Sequence, residues 1–385
     1  MTDLFAWGSR RAGVTLGVTQ TIAYAASTYL PAILATRMAA DLKVSPAFVF
    51  GAFSAALLVL AFLGQPLGRH VDRVGGRGLL VASSLVFAAG LAGLALCDSP
   101  IAFCAAWMIM GLGMALGLYD IAFAALVDWF AAEGRRPITG VTLIAGFAST
   151  IGWPLTSWVA DHQGWRGACL FWAGAHLLIA LPLHLSLPPG GARRGNDPGP
   201  VRTQPASGEM RAMILLSVAF ASAAAVGSAI SAHLPPLLIA VGAAPLAALA
   251  AATLVGPAQV AARLGEFVIV RRIHPLDSAR IALALFPVGA ALLLAGGAAF
   301  AAPFAILYGC GNGLVTIARG SVPLALFGPA GYGARLGLIA IPGRIAQAAA
   351  PFAFALLMQA SSSLAIAVFA GLCVLGLGCL LALRR

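Results

Sequence analysis

Long apolar runs follow one another along this chain and are separated by short polar segments. A helix needs about 20 apolar residues to cross the hydrocarbon core of a bilayer, because it rises about 1.5 Å per residue. The pattern therefore predicts an all-α membrane protein with about twelve transmembrane helices. The predicted spans lie near residues 12–35, 47–69, 78–97, 101–125, 138–160, 166–187, 212–240, 245–270, 278–299, 302–325, 334–358 and 362–383.

One polar segment is much longer than the others. Residues 188–211 are rich in proline, glycine and arginine and contain little that a core could bury. This composition is typical of a flexible linker. We therefore predict an N-terminal six-helix bundle at 1–187, a cytoplasmic linker at 188–211 and a C-terminal six-helix bundle at 212–385.

The composition excludes an ordinary soluble domain. The chain is 61% hydrophobic and only 9% charged, whereas soluble domains contain about 25% charged residues. The net charge is +11, but a nucleic-acid binder would carry its basic residues on one face of a soluble module. Here they lie at the ends of apolar runs, so we expect no nucleic-acid partner.

The basic residues also predict the topology, because cytoplasmic loops of membrane proteins carry an excess of arginine and lysine. With both termini and the linker cytoplasmic, the outer segments hold only Arg37, Lys43 and Arg166. We therefore expect a multi-pass protein of a bacterial inner (plasma) membrane. The inner segments hold Arg10, Arg11, Arg69, Arg73, Arg77, Arg135, Arg136, Arg193, Arg194, Arg202, Arg211, Arg271, Arg272, Arg280, Arg319, Arg335, Arg384 and Arg385.

The two halves contain similar segments. YLPAIL at Tyr29–Leu34 resembles HLPPLL at His233–Leu238, and GLGMALG from Gly111 resembles GCGNGLV from Gly309. A repeat of six helices in the same sense predicts two bundles related by an axis along the membrane normal. In such proteins the substrate site lies between the bundles, near the middle of the membrane.

The loop after the second span carries the most specific motif, GRHVDRVGGR. Its pattern of Gly68, Asp72, Arg73, Gly75 and Arg77 resembles the signature loop of the major facilitator superfamily. In that family the loop is a conformational latch. The resemblance implies that Asp72 pairs with an arginine or a helix end of a neighbouring span when the transporter faces outward. The alternative is an ordinary charged loop.

Five ionisable residues stand out inside the predicted spans: Asp120 in the fourth, His233 in the seventh, Arg263 and Glu266 in the eighth, and Arg344 in the eleventh. Each costs about 2.5–3.5 kcal/mol on insertion scales, so each is a candidate for function. Arginine stays protonated in proteins, and its planar fork binds carboxylates at two points. We therefore predict that Arg263 and Arg344 bind an anionic substrate.

The two arginines resemble those of the oxalate/formate antiporter branch of the superfamily, which places basic residues in spans eight and eleven. Span eight also resembles that of the monocarboxylate transporters, where an acidic residue precedes the arginine by four positions. Here Gln259 occupies that position, and we expect it to contact the substrate beside Arg263.

Other polar residues recur at helical spacing and are candidate substrate contacts. Spans one, four, seven and ten line the cavity in this superfamily. Such residues also form hydrogen bonds between helices, which is the alternative. The candidates are Gln20 and Tyr24 in span one, Tyr308 and Asn312 in span ten, and Gln347 in span eleven.

The acidic residues have two possible roles. Asp120 and Glu266 are candidates for coupling transport to protons, since burial raises the pKa of a carboxyl group. Alternatively, Glu266 neutralises Arg263 three residues earlier, and Asp120 neutralises either arginine from another helix.

The functional hypothesis is a secondary active transporter that moves a small organic anion, a mono- or dicarboxylate, by alternating access. A proton or a counter-anion would drive symport or antiport. We expect a monomer that contacts membrane lipid. The sequence contains no enzyme, metal-site or nucleotide-binding motif, so we expect no enzymatic activity, no cofactor and no bound metal.

Two other functions stay open. The first is gradient-driven efflux of drugs or of neutral or cationic metabolites, in which the arginines are paired internally. The second is a membrane receptor or sensor. Short termini and the lack of an output domain favour a transporter over a receptor.

Overall fold

The computed structural model describes residues 2–190, 207–268 and 273–384, and these ranges contain helices and no strand. Nine helical stretches among these residues are long and apolar enough to cross a membrane. The protein is therefore an all-helical membrane protein, while the count of twelve spans and the cytoplasmic termini stay predictions.

The α-helices are α1 (Thr2–Ala26), α2 (Leu30–Asp41), α3 (Pro46–Val74), α4 (Arg77–Leu96), α5 (Pro100–Gly117), α6 (Tyr119–Phe130), α7 (Arg135–Ala145), α8 (Ala148–Ala175), α9 (Leu181–Leu185), α10 (Ser207–Ala240), α11 (Pro245–Thr253), α12 (Val255–Val268), α13 (Pro275–Gly296), α14 (Ala301–Phe327), α15 (Tyr332–Ala360) and α16 (Ser362–Leu381).

Two of the nine stretches are much longer than one span. Arg135–Leu185 has 51 residues and Pro275–Phe327 has 53, and each coincides with two consecutive predicted spans to within a few residues. The first is interrupted at Gly164, which has a φ of 72°. The second is interrupted by a 3₁₀ turn that begins at Gly297, with a φ of 53°.

Local sequence signals set several helix ends. The hydroxyl of Ser45 accepts the N–H of Phe48 before Pro46 begins α3. Ser99 caps α5 in the same way through the N–H of Ala102. A serine cap followed by proline satisfies an exposed N–H and starts the helix with the required φ.

The chain divides into two compact units. Unit 1 comprises Met1–Val201 and Gly328–Leu338, and unit 2 comprises Arg202–Phe327 and Ile339–Arg385. The first turns of α15 therefore belong to unit 1 and the rest of this helix to unit 2.

Unit 1 packs α3 and α4 against α5, and α1 against α7 and α8. Its core is apolar and includes the fully buried side chains of Leu34, Met38, Phe87 and Trp107. The fourth predicted span is broken in this unit at Leu118, where the backbone is extended between α5 and α6.

Unit 2 packs α14 against α12 and α13, and α16 against α10 and α13. Two prolines lie inside α15, at Pro342 and Pro351. Pro351 has no N–H to donate to the carbonyl of Gln347 four residues earlier. The hydroxyl of Ser228 in α10 donates to that carbonyl at 2.7 Å, so a side chain replaces the missing backbone donor.

Candidate functional site

Arg263 lies on α12 in unit 2, and only 5% of its surface is exposed. Its Nε donates to the carbonyl of Gly313 at 3.5 Å. Its Nη2 donates to Oε1 of Gln259 at 3.4 Å and to Oγ1 of Thr316 at 3.5 Å. Its Nη1 is buried and has no hydrogen-bond partner among the residues that the structure describes. The guanidinium group is therefore held along one edge and has N–H groups left to donate at Nη1.

Close packing of α12 on α14 produces this arrangement. A Cβ added at Gly313 would lie 2.7 Å from the carbonyl oxygen of Gln259, so only glycine allows the two backbones to approach so closely. The carbonyl of Gly313 can then reach Arg263. One turn later on α14, the hydroxyl of Thr316 donates to the carbonyl of Asn312 at 2.9 Å, which leaves its oxygen as an acceptor toward Arg263.

Glu266 is also 5% exposed and lies on the same helix as Arg263. Its carboxylate accepts a hydrogen bond from the hydroxyl of Ser278 on α13. The hydrogen bonds of Arg263 run instead to Gln259 and to α14. The two charged side chains thus have different hydrogen-bond partners.

Arg344 is 5% exposed on α15, also in unit 2. The preceding Gly343 lies against α10, where an added Cβ would be 3.7 Å from the carbonyl oxygen of Phe220. One turn later, Gln347 contributes its backbone carbonyl to Ser228. The structure buries both arginines inside unit 2, but no described contact joins them.

Tyr308 and Asn312 lie on α14. Tyr308 is buried, and its hydroxyl donates to the carbonyl of Gly227 at 2.8 Å and lies 2.9 Å from the hydroxyl of Ser231. Asn312 supports Thr316 through its carbonyl. The Tyr308 hydroxyl on α14 therefore forms hydrogen bonds with residues of α10.

The candidates of span one belong to unit 1. Gln20 is fully buried, and its Nε2 donates to the carbonyl of Gly117 at 2.6 Å. In a continuous helix the N–H of Ile121 would reach Gly117, but it bonds to Leu118 instead. Gln20 thus satisfies a carbonyl at the break between α5 and α6.

Tyr24 and Asp120 lie near the same break. The ring of Tyr24 contacts that of Tyr119, with centroids 4.7 Å apart. Asp120 is the next residue and stands in the first turn of α6. Both belong to unit 1, whereas Arg263 and Arg344 belong to unit 2.

The residues of the signature loop also lie in unit 1. Asp72 accepts the backbone N–H of Gly333 at 2.9 Å and that of Ala334 at 2.8 Å, at the N-terminus of α15. Of the two partners expected from the sequence, an arginine or a helix end, the structure shows the helix end. Gly68 lies so close to Gly333 that an added Cβ would overlap its carbonyl oxygen.

The rest of the loop turns the chain between α3 and α4. Gly75 has a φ of 96°, which favours glycine, and it is packed against Gly190. Arg77 donates to the carbonyl of Leu185 at 2.6 Å. Arg73 is exposed at the end of α3.

Three residues of these contacts were not predicted from the sequence: Thr316, Ser278 and Gly333. Thr316 lies four residues after Asn312 and so on the same helix face, which is a signal that the sequence does contain. The contacts of Ser278 and Gly333 join residues 12 and 261 positions apart, and no periodicity indicates them. No group of three or more potential metal ligands occurs within the described part of the chain.

Comparisons with solved structures find the same fold. The human organic anion transporter MFSD10 (TETRAN) is 19% identical, with a TM-score of 0.75 over 97% of this chain and 99% of that chain. The proton:xylose symporter XylE is 14% identical, with a TM-score of 0.76 over 98% and 95%. The transporter FucP is 13% identical, with a TM-score of 0.71 over 94% and 97%. At these identities the likeness concerns the fold alone.

A curated relative and a family model extend the comparison. Multidrug resistance protein MdtH of Aeromonas salmonicida (strain A449) is 32% identical over 142 residues, which are 36% of this chain and 34% of that protein. The chain thus spans about a third of the length of the curated relative that it matches. The model of the Major Facilitator Superfamily matches residues 16–351. The chain therefore belongs to the Major Facilitator Superfamily, and nine stretches of its described residues are long and apolar enough to cross a membrane.

Proposed function

We propose that the protein is a secondary active transporter that moves a small organic anion by alternating access. The observation that carries this proposal is the buried guanidinium group of Arg263, whose Nη1 has no partner among the described residues. Its three hydrogen-bond acceptors are a carbonyl, an amide oxygen and a hydroxyl. These dipoles hold the group in place but do not neutralise its charge.

An arginine at membrane depth needs an anion nearby. Arginine cannot lose its proton in proteins, and a buried charge without a counter-charge costs several kcal/mol. A carboxylate substrate would supply the negative charge and accept the N–H groups of Nη1. Binding of the carboxylate would then remove the free-energy cost of the unneutralised arginine. A neutral solute would not, so the site favours an anion.

The other candidate residues complete the proposal. Arg344, buried in the same unit, is a second positive contact for the substrate. Gln259, whose amide oxygen binds Arg263, orients that side chain. Asp120 and Glu266 are candidates for proton coupling. The protein would act as a monomer in a bacterial inner membrane, with both termini cytoplasmic.

Thermal unfolding of the purified protein with a panel of small carboxylates and inorganic oxyanions tests this proposal. At least one anion should raise the unfolding temperature of the wild type and not that of Arg263→Ala. Arg136→Ala is the matched control, because Arg136 is exposed on α7 in unit 1. If no anion stabilises the wild type, or if Arg263→Ala responds equally, the proposal fails.

A second function, gradient-driven efflux of drugs, is favoured by the similarity to the multidrug resistance protein MdtH. In that case a lipophilic cation such as tetraphenylphosphonium should stabilise the wild type. Arg263→Ala should respond to the cation like the wild type, since removing a positive charge does not weaken cation binding. The two functions thus differ in the ligand that binds and in the effect of Arg263.

A further inference from the structure

The N–H groups of Arg263 can be accounted for one by one. A guanidinium group has five: one on Nε and two on each of Nη1 and Nη2. The N–H of Nε is directed to Gly313, and the two of Nη2 to Gln259 and Thr316. Three donors therefore have three acceptors within the chain. The two N–H groups of Nη1 have none in the described residues.

This distribution decides how an anion can bind. Two-point contact with a carboxylate uses two parallel N–H groups on different nitrogens. Nε pairs with Nη2 along the side of the group, and Nη1 pairs with Nη2 at its end. Both arrangements require Nη2, which already has two acceptors. Only Nη1 has N–H groups without an acceptor among the described residues, so a ligand held by these groups would contact one nitrogen.

Thr316 is central to this orientation. A hydroxyl group has one hydrogen, and that of Thr316 is donated to the carbonyl of Asn312 at 2.9 Å. Its oxygen is thus fixed as an acceptor for Nη2 of Arg263. Gly313 and Thr316 are three residues apart on α14 and present their acceptors on one face.

From these contacts we infer that Arg263 binds a single carboxylate oxygen of the substrate through Nη1 alone, and that Thr316 is the positioning residue that holds it in this orientation. The inference rests on the proposed function and specifies how that site holds its anion, with one carboxylate oxygen at Nη1.

Dissociation constants for acetate, lactate and oxalate, measured by thermal shift, test the inference in the wild type and four variants. Arg263→Lys keeps one charged nitrogen, so it should retain binding of acetate or lactate that Arg263→Ala loses. Thr316→Val should weaken monocarboxylate binding about tenfold, the effect of losing one hydrogen bond to a charged group. Thr316→Ser should stay within about twofold of the wild type, because it keeps the hydroxyl.

The outcomes separate this inference from the proposed function. Suppose that an anion stabilises the wild type but that Arg263→Lys binds it as weakly as Arg263→Ala does. The anion then contacts two nitrogens of Arg263, which contradicts the inference. Equal dissociation constants for Thr316→Val and the wild type would show that Thr316 does not position Arg263. If no carboxylate stabilises the wild type, the proposed function itself has failed. Thr316→Ala, which also lacks the hydroxyl, replaces Thr316→Val if the latter does not fold.

Discussion

The carboxylate of Asp72 accepts the backbone N–H of Gly333 at 2.9 Å, and its second oxygen accepts that of Ala334 at 2.8 Å. The first N–H groups of a helix have no partner inside the helix, and the helix dipole adds positive charge there. A carboxylate at this point is therefore held by two hydrogen bonds and by the dipole. The contact ties the end of α3 to the start of α15, which is the proposed latch.

Replacing Asp72 by asparagine tests the latch. Asp72→Asn removes the charge and one acceptor, so it should lower the free energy of unfolding by about 1–2 kcal/mol. It should also make α3 and α15 more accessible to a thiol reagent at cysteines introduced there. Asp161→Asn is the matched control, because Asp161 is exposed and forms an ion pair with Arg37, which is also partly open to solvent. Equal accessibility in Asp72→Asn and the wild type would contradict a latch.

The close approach of α3 and α15 should depend on the lack of a side chain at Gly68. A methyl group there would overlap the carbonyl oxygen of Gly333. Gly68→Ala should therefore lower the free energy of unfolding by about 1–3 kcal/mol, the usual effect of overpacking. Gly51→Ala, on the same helix, meets no atom within 4 Å of the new methyl group and should be neutral. Equal stability of the two variants would show that the helices separate at no cost.

Pro351 inside α15 gives a double-mutant test. Ser228→Ala leaves the carbonyl of Gln347 without its donor and should cost about 1 kcal/mol of unfolding free energy. In a Pro351→Ala background the alanine N–H can reach that carbonyl, so Ser228→Ala should cost little. Thermal unfolding of the two single variants and the double variant gives the coupling energy. A coupling energy near zero would mean that Ser228 does not replace the missing donor.

The positions of the helices could be predicted from the sequence better than the breaks within them. The predicted span 47–69 lies inside α3, Pro46–Val74, and the span 362–383 matches α16, Ser362–Leu381. The break at Leu118 was not predicted, because hydropathy does not change there. Gln20, 97 residues from Gly117 in sequence, donates to the carbonyl that the break exposes. Local patterns give no information about such distant contacts.

For the candidate site, the sequence predicted which side chains are buried but not how they are oriented. The apolar surroundings of Arg263 and Arg344 in the sequence predict their burial, and both side chains are 5% exposed. The sequence suggested that Arg263 would offer a two-point fork. In the structure Nη2 is occupied by Gln259 and Thr316. That orientation depends on how α14 packs against α12, and a pattern along one helix does not contain this information.

Uptake of radiolabelled acetate and lactate into proteoliposomes, by the wild type, Arg263→Ala and Arg136→Ala, tests the central claim most directly. The account predicts saturable uptake by the wild type and by Arg136→Ala. It predicts a fall of about 100-fold in uptake at low substrate concentration for Arg263→Ala, because truncating one partner of a buried charge pair costs about 2–5 kcal/mol. Uptake by Arg263→Ala equal to that of the wild type would contradict an anion site at Arg263.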